Sequence, residues 1–247
     1  VLTIAAGVAL EQTIELATFV ASEAASFTRA LVVIENGARA TIIETAAALH
    51  DGAAQDNQAL VARLGAGATL DLVTHSSGRS DSLVRVMSLV AHLDESAALN
   101  SHALLEGAGL LRRQIFARLD GENARIALNG ATLAMGRQHV DTTLVIDHAV
   151  PHGESRERFR NILDEQGTGV FQGKIIVRPG AQKTDGAMQS KAILLSDGAT
   201  MNNKPELEIF ADDVQCGHGA TCGRLDKDQL FYLMARGVPR HEAERLL

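Results

Sequence analysis

Reactive side chains concentrate in one short stretch, Asp212-Asp213-Val214-Gln215-Cys216-Gly217-His218-Gly219-Ala220-Thr221-Cys222-Gly223. Thiolate and imidazole are ligands that suit iron or zinc. Side chains alternate along a strand, so Cys216 and His218 share a face and can reach one ion together. Glycines on either side leave that face open. Two ligands still do not make a metal site, because structural zinc takes four and catalytic zinc usually three. A further ligand would come from His148, from His152 or from another protein. Strand parity puts Cys222 on the same face, although the glycines loosen that register. The competing reading of each thiol is a small buried hydrophobe beside a histidine.

Other constellations carry less. There is no glycine-rich phosphate loop with its lysine, no H-E-x-x-H and no G-x-S-x-G. Gly65-Ala66-Gly67 and Gly121-Glu122-Asn123 read as turns. Glu206 and Glu208 alternate with Leu207 and Ile209, as on the solvent face of a half-buried strand. Lys183, Thr184 and Asp185 read as a hydrogen-bonded corner rather than a base. His148 and His152 have no nucleophile nearby and read as a packed or surface pair.

The elements that must position these residues show themselves as a repeat. VVIENG begins at Val32, VARLGAG at Val61, VAHLDES at Val90 and FARLDGE at Phe116, with small-residue stretches at Ala40, Ala68, Ala97 and Ala124. A period in the twenties, made of short β-branched pulses between Gly, Asn or Asp, indicates a solenoid. The pulses are too short for helical periodicity, and no leucine-rich frame recurs. ALVVIENGARATIIE reads as strand, turn, strand. A β-helix, whose lumen is narrow, explains a 247-residue chain with seven Phe, one Tyr and no Trp. A β-sandwich with fortuitous spacing is the alternative.

Later segments are less regular. NSHALLEGAGLLRRQIFARL resembles a coil with a loose corner. HGESRERFRNILDEQGTG, residues 152–169, reads as a short helix or helical corner, with Ser155 as cap and Phe159, Ile162 and Leu163 as its apolar stripe. The 18-residue spacing from Val177-Arg178-Pro179-Gly180 to Leu195-Ser196-Asp197-Gly198 suggests tighter coils. Near the end, Leu230, Leu233 and Met234 mark a helix capped by Asp226 or Asp228. Gly237-Val238-Pro239 breaks it, and Ala243, Leu246 and Leu247 start another. Such helices act as a cap on an open coil end or as a docking surface.

The blocks Asp147-His148 with PHGES, then GVFQGKIIV, GAQKTD, LLSDGAT, KPELEIFADDVQCGHGAT and QLFYLMARGV follow in a recognisable order. From about Asp147 to Leu247 the chain resembles the SufB/SufD family of iron–sulfur cluster assembly proteins, and the D-D-V-x-C-x-H-G-A-T block points to the SufD branch. The resemblance implies a mainly β fold, with a right-handed parallel β-helix core over 1–223. It implies the start of a C-terminal helical domain over 224–247, truncated here, and an N-terminal helical domain that this chain lacks. It also implies a scaffold, not an enzyme. Such a chain pairs with a SufB-like subunit through the ends of their β-helices and docks a SufC-like ATPase.

On this resemblance Cys216 and His218 are the cofactor-binding and metal-contacting residues of a half-site that SufB completes. The iron–sulfur cluster is then transient, no cofactor is tightly held by the isolated chain, and reduced flavin is a candidate ligand of the complex. Gly217 stands where Ser is usual, and Cys222 replaces an aliphatic residue and reads as filler. Two alternatives stand beside this reading. One is a carbohydrate-acting β-helix enzyme, which the scarcity of aromatics disfavours. The other is a purely structural homodimer.

The net charge of −7, without a Lys/Arg block, argues against nucleic acid as a partner. No apolar run reaches the length of a membrane span. Two free thiols and the absence of a basic leader before Val1 suit a cytoplasmic protein, read here as a piece of something longer.

Overall fold

The computed structural model describes residues 1–78 and 80–247. Its strands form two parallel sheets of eight strands each. One holds β1 (Leu2–Ile4), β3 (Ala25–Ile34), β5 (Ala54–Leu64), β7 (Ser80–Leu93), β9 (Ala108–Leu119), β11 (His139–His148), β13 (Thr168–Val177) and β15 (Thr200–Ile209). The other holds β2 (Ile14–Val20), β4 (Arg39–Ala48), β6 (Thr69–Ser77), β8 (Ala98–Leu105), β10 (Arg125–Ala134), β12 (Glu154–Leu163), β14 (Asp185–Leu194) and β16 (Gln215–Arg224). Every strand pairs with the strand two places along the chain, so odd and even strands stack separately. This is the expected β-solenoid, wound as coils that each give one strand to each sheet.

The repeat has a direct structural meaning. Val61 pairs with Val90, and Val90 with Phe116. Leu31 rather than Val32 pairs with Val61, so the first offset is one residue longer than the motif suggests. At one corner Ala38, Ala68, Ala97 and Ala124 stack, all buried, each carbonyl accepting from the backbone of the next coil. Anything wider than a methyl there would push the coils apart. The loose corner lies at Gly107, which has φ +80° beside a register shift between β7 and β9.

Two expectations fail. Residues 154–163 form β12, not a helix, in continuous register with β10 and β14. Phe159 and Leu163 point inward at i and i+4, and that spacing imitates a helical stripe. The C-terminal coils are not tighter either, because Thr168 pairs directly with Thr200. The 18-residue spacing joins the ends of β13 and β14, which belong to opposite sheets.

The lumen is lined mainly by Leu, Ile, Val and Ala, as the composition predicts. Phe159 and Phe171 meet inside it at 5.0 Å between ring centroids, and Phe159 fills the space left by Gly130, its register neighbour. Charged groups also cross the interior. Arg85 donates from Nε to Asp56 Oδ2 at 2.9 Å, and from Nη1 to Ser76 Oγ and the carbonyls of Ala46 and Ser77. Arg113 reaches Glu44 and Thr74 at 3.3 Å each. These contacts tie the odd sheet to the even one.

After β16 come α1 (Lys227–Ala235) and α2 (Arg240–Leu246). Asp226 caps α1 by accepting from the backbone N–H groups of Asp228 and Gln229. Phe231 and Tyr232 are exposed, and α1 buries none of its residues. Among the described residues no helix is long and apolar enough to cross a membrane.

Candidate functional site

The reactive stretch forms β16, which ends its sheet with β14 as its one neighbour. The loop before it is firmly held. Lys183 N–H donates to the Asp213 carbonyl at 2.6 Å, and its ammonium pairs with the Asp213 carboxylate. Asp213 N–H donates to Gln182 Oε1 at 2.9 Å, and Thr184 Oγ1 to the Ala181 carbonyl at 2.8 Å. Gln215 N–H then donates to the Thr184 carbonyl at 2.8 Å, which starts the ladder. The corner read at residues 183–185 is therefore what sets β16 in register.

That register places Cys216 beside Gly186, His218 beside Met188 and Cys222 beside Ala192. Gly186, Met188 and Ala192 lie in inward-facing rows of the lumen, so Cys216, His218 and Cys222 continue those rows beyond the last complete coil. The shared face expected of Cys216 and His218 is present. Cys216 is half-buried against the core, whereas His218 and Cys222 are exposed. Cys222 lies six residues from Cys216, roughly 20 Å along a strand, too far to share an ion with it.

Burial pushes the Cys216 thiol above its usual range, and Asp185, with Glu157 once it ionises, pushes the same way. A hydrogen bond from the Gly186 backbone and the charge of Arg156 oppose this. The cysteine therefore waits as a thiol, and a metal ion must displace its proton.

Neither histidine proposed as a third ligand joins the pair. His148 ends β11 in the opposite sheet, fully buried between Leu119 and Val177, and both ring nitrogens lack a partner. Burial lowers its pKa to about 4, so it stays neutral. His152 sits in the turn before β12 at φ +61°. Among the described residues no three His, Cys, Asp or Glu side chains converge as a metal site.

Behind the pair lies a group that the sequence reading missed. In the His218 row, inward past Met188, stands Glu157, fully buried with both carboxyl oxygens unpartnered. Burial pushes its pKa up to about 8, so it is mostly protonated at neutral pH. Ser155 Oγ offsets part of that shift but satisfies neither oxygen. In the Cys216 row, a Cβ on Gly186 would stand 3.5 Å from Cys216 Sγ and 3.4 Å from Ser155 Oγ. The missing side chain leaves a methyl-sized space between them. Read as a helix, this segment made Ser155 a cap and gave Glu157 no part; strand parity would have turned both inward.

Glu206 and Glu208 lie on the outer face of β15 and pair with Lys174, with Lys204 beside Glu206, as a solvent-facing strand should.

Residues 17–247 match the family model described as SUF system FeS cluster assembly, SufBD core domain. The chain belongs to the SufB/SufD family. Its SufBD core match begins within β2 and runs through both helices. The iron–sulfur cluster assembly protein SufD of Escherichia coli (strain K12) is 32% identical over 222 residues, covering 87% of this chain and 50% of that protein. A SufBD family protein of Synechocystis is 32% identical over 232 residues, covering 89% and 50% respectively. SufD of Bacillus subtilis is 36% identical over 112 residues, covering 45% of this chain and 26% of that relative. The chain spans about half the length of the first two relatives. The SufD names agree with the branch to which the D-D-V-x-C-x-H-G-A-T block points.

Proposed function

We propose that this chain is the solenoid core of a SufD-type scaffold subunit, which builds iron–sulfur clusters at its C-terminal end together with a SufB-like partner. Family membership supports a role in iron–sulfur cluster assembly. The observation that carries the finer reading is the position of β16. It is a terminal strand whose Cys216 and His218 continue the lumenal rows with no further coil over them among the described residues. A terminal strand presents unpaired backbone groups that another chain can pair with.

Two ligands on one chain suffice if the partner supplies the others. Cys216 contributes sulfur after losing its proton, His218 contributes imidazole nitrogen, and the cluster is cargo passed onward. The exposed Phe231 and Tyr232 of α1, with the helices that follow β16, form the surface for a SufC-like ATPase. On this reading the chain catalyses no reaction of its own. On the same reading 1–223 is the solenoid core and 224–247 opens the helical domain, in keeping with a β16 that ends at Arg224.

The test is to co-express the full-length protein with its SufB and SufC partners and purify the complex. Cluster content is then compared between wild type, His218→Ala and Cys216→Ala. His218→Ala is expected to lower cluster yield with assembly intact. Unchanged cluster content in both variants would remove the site. Loss of assembly with normal clusters per complex would leave β16 an interface only. A structural homodimer through the same terminal strands is the second reading, and it predicts a stable dimer of the lone chain that ignores both substitutions.

A further inference from the structure

The outer face of the even-numbered sheet carries a run of cations without a carboxylate in the same stretch of their rows. Two adjacent outward rows run across it from β4 to β16. One carries His102 and Arg158, the other His75, Arg160 and Lys191. Neither row holds an Asp or Glu over that span, although the chain has 30 acidic residues and a net charge of −7. Among the described residues Arg158, Arg160 and Lys191 form no ion pair, whereas Arg156 in the next row is held by Asp185 and Glu154.

The arginines border apolar ground on one side. Leu104 and Ala131 are exposed in the Arg160 row, flooring a shallow hollow of about 640 Å³ with Arg158 and Arg160 at its rim, while His75 on the far side of Leu104 lies 3.7 Å from Glu106. Alongside, Ile162 and Ile193 stand exposed as register neighbours. Isolated surface leucines need no explanation, but an apolar strip bordered by unpaired charges of one sign is the composition of a binding face.

We propose that this face docks an acidic protein segment that carries apolar side chains, with its carboxylates on Arg158, Arg160 and Lys191 and its apolar residues on Leu104 and Ala131. Charge selects the occupant. A second copy laid face to face would set these cations against themselves, while an acidic partner meets a positive field on an otherwise negative molecule. The surface lies on the flank of the solenoid, apart from the inward face of β16, and the proposal does not depend on the cluster reading.

The test uses the full-length protein and a fluorescein-labelled amphipathic peptide with one glutamate face and one leucine face, followed by fluorescence anisotropy. Arg158→Glu with Arg160→Glu is expected to weaken binding by at least about tenfold, because two rim attractions become repulsions. Leu104→Ser should weaken it several-fold, and Arg63→Glu on the other sheet should leave it unchanged. All four positions point to solvent, so circular dichroism should be unaltered. Equal affinity in wild type and the double variant would overturn the proposal. So would equal binding of an all-glutamate peptide, tighter binding of single-stranded DNA, or self-association abolished by the same double variant, since that would assign the face to a second copy.

Discussion

Cys216 and Ser155 occupy the same inward row of the solenoid, separated by Gly186, whose missing side chain leaves room for one methyl group between thiol and hydroxyl. The space is polar on two sides and closed by Ile175 on a third, 3.5 Å from where a Cβ would stand. Gly186→Ala should therefore be accommodated, and stabilise the chain by up to about 1 kcal/mol through loss of unfolded-state freedom. Gly121→Ala is the contrast, since its Cβ would overlap the backbone of Asp94 and Glu95. It should cost about 1–3 kcal/mol. Urea denaturation midpoints of the two variants check both, and a destabilised Gly186→Ala would contradict the row as described.

Two buried groups give the fold a pH profile with a defined shape. Folded Glu157 keeps its proton up to about pH 8, while an unfolded one loses it near its ordinary value of 4.5. Stability from this group falls as pH rises between those values. Folded His148 stays neutral down to about pH 4, whereas the unfolded ring takes a proton below 6.5. Its contribution falls as pH drops through that window. The two slopes oppose one another between 4.5 and 6.5, and only the Glu157 slope remains between 6.5 and 8. It should approach about 1.4 kcal/mol per pH unit. Glu157→Gln should flatten that limb while leaving the acid limb, as thermal melts across the range would show.

The pair Asp56 and Arg85 is fully buried in the lumen. Asp56→Ala leaves the guanidinium without its carboxylate and should cost about 3–5 kcal/mol. Replacing both residues with leucine and methionine should cost clearly less, because no buried charge is then stranded. A double-mutant comparison by chemical denaturation decides it. A double variant as unstable as the single one would show that packing, not charge, sets the penalty.

The two cysteines should differ sharply in reactivity. Cys222 is exposed, whereas Cys216 is half-buried with a thiol held above its usual range. Iodoacetamide at neutral pH should label Cys222 first, read by peptide mass spectrometry over time. Oxidation should give no bond between the two within one chain, because strand spacing holds them far apart. Faster labelling of Cys216 would mean that the end of the solenoid opens.

Much of this architecture was readable from sequence wherever polarity and strand parity agreed. Val61, Val90 and Phe116 announced stacked coils, Asp226 announced a helix start, and Cys216 with His218 announced a shared face. Reading failed where polar residues point inward. In β12 the inward set is Ser155, Glu157, Phe159, Asn161 and Leu163. Three of those five are polar, so period-two hydrophobicity disappears and Phe159 with Leu163 mimics a helical turn. A single chain also gives no signal for which strand ends a sheet, since termination depends on what fails to stack next.

The corner of Gln182, Lys183 and Asp213 has a consequence beyond holding a loop. Side chains in a strand change sides with every residue, so that corner fixes the phase of everything after it. Deleting Val214 would leave every functional side chain in the molecule, yet a one-step slip would turn Cys216 and His218 to the outer surface and bring their glycine neighbours into the lumenal rows. The molecule would keep its full set of reactive atoms and present a blank end. What the corner preserves is parity, a property carried by no single residue.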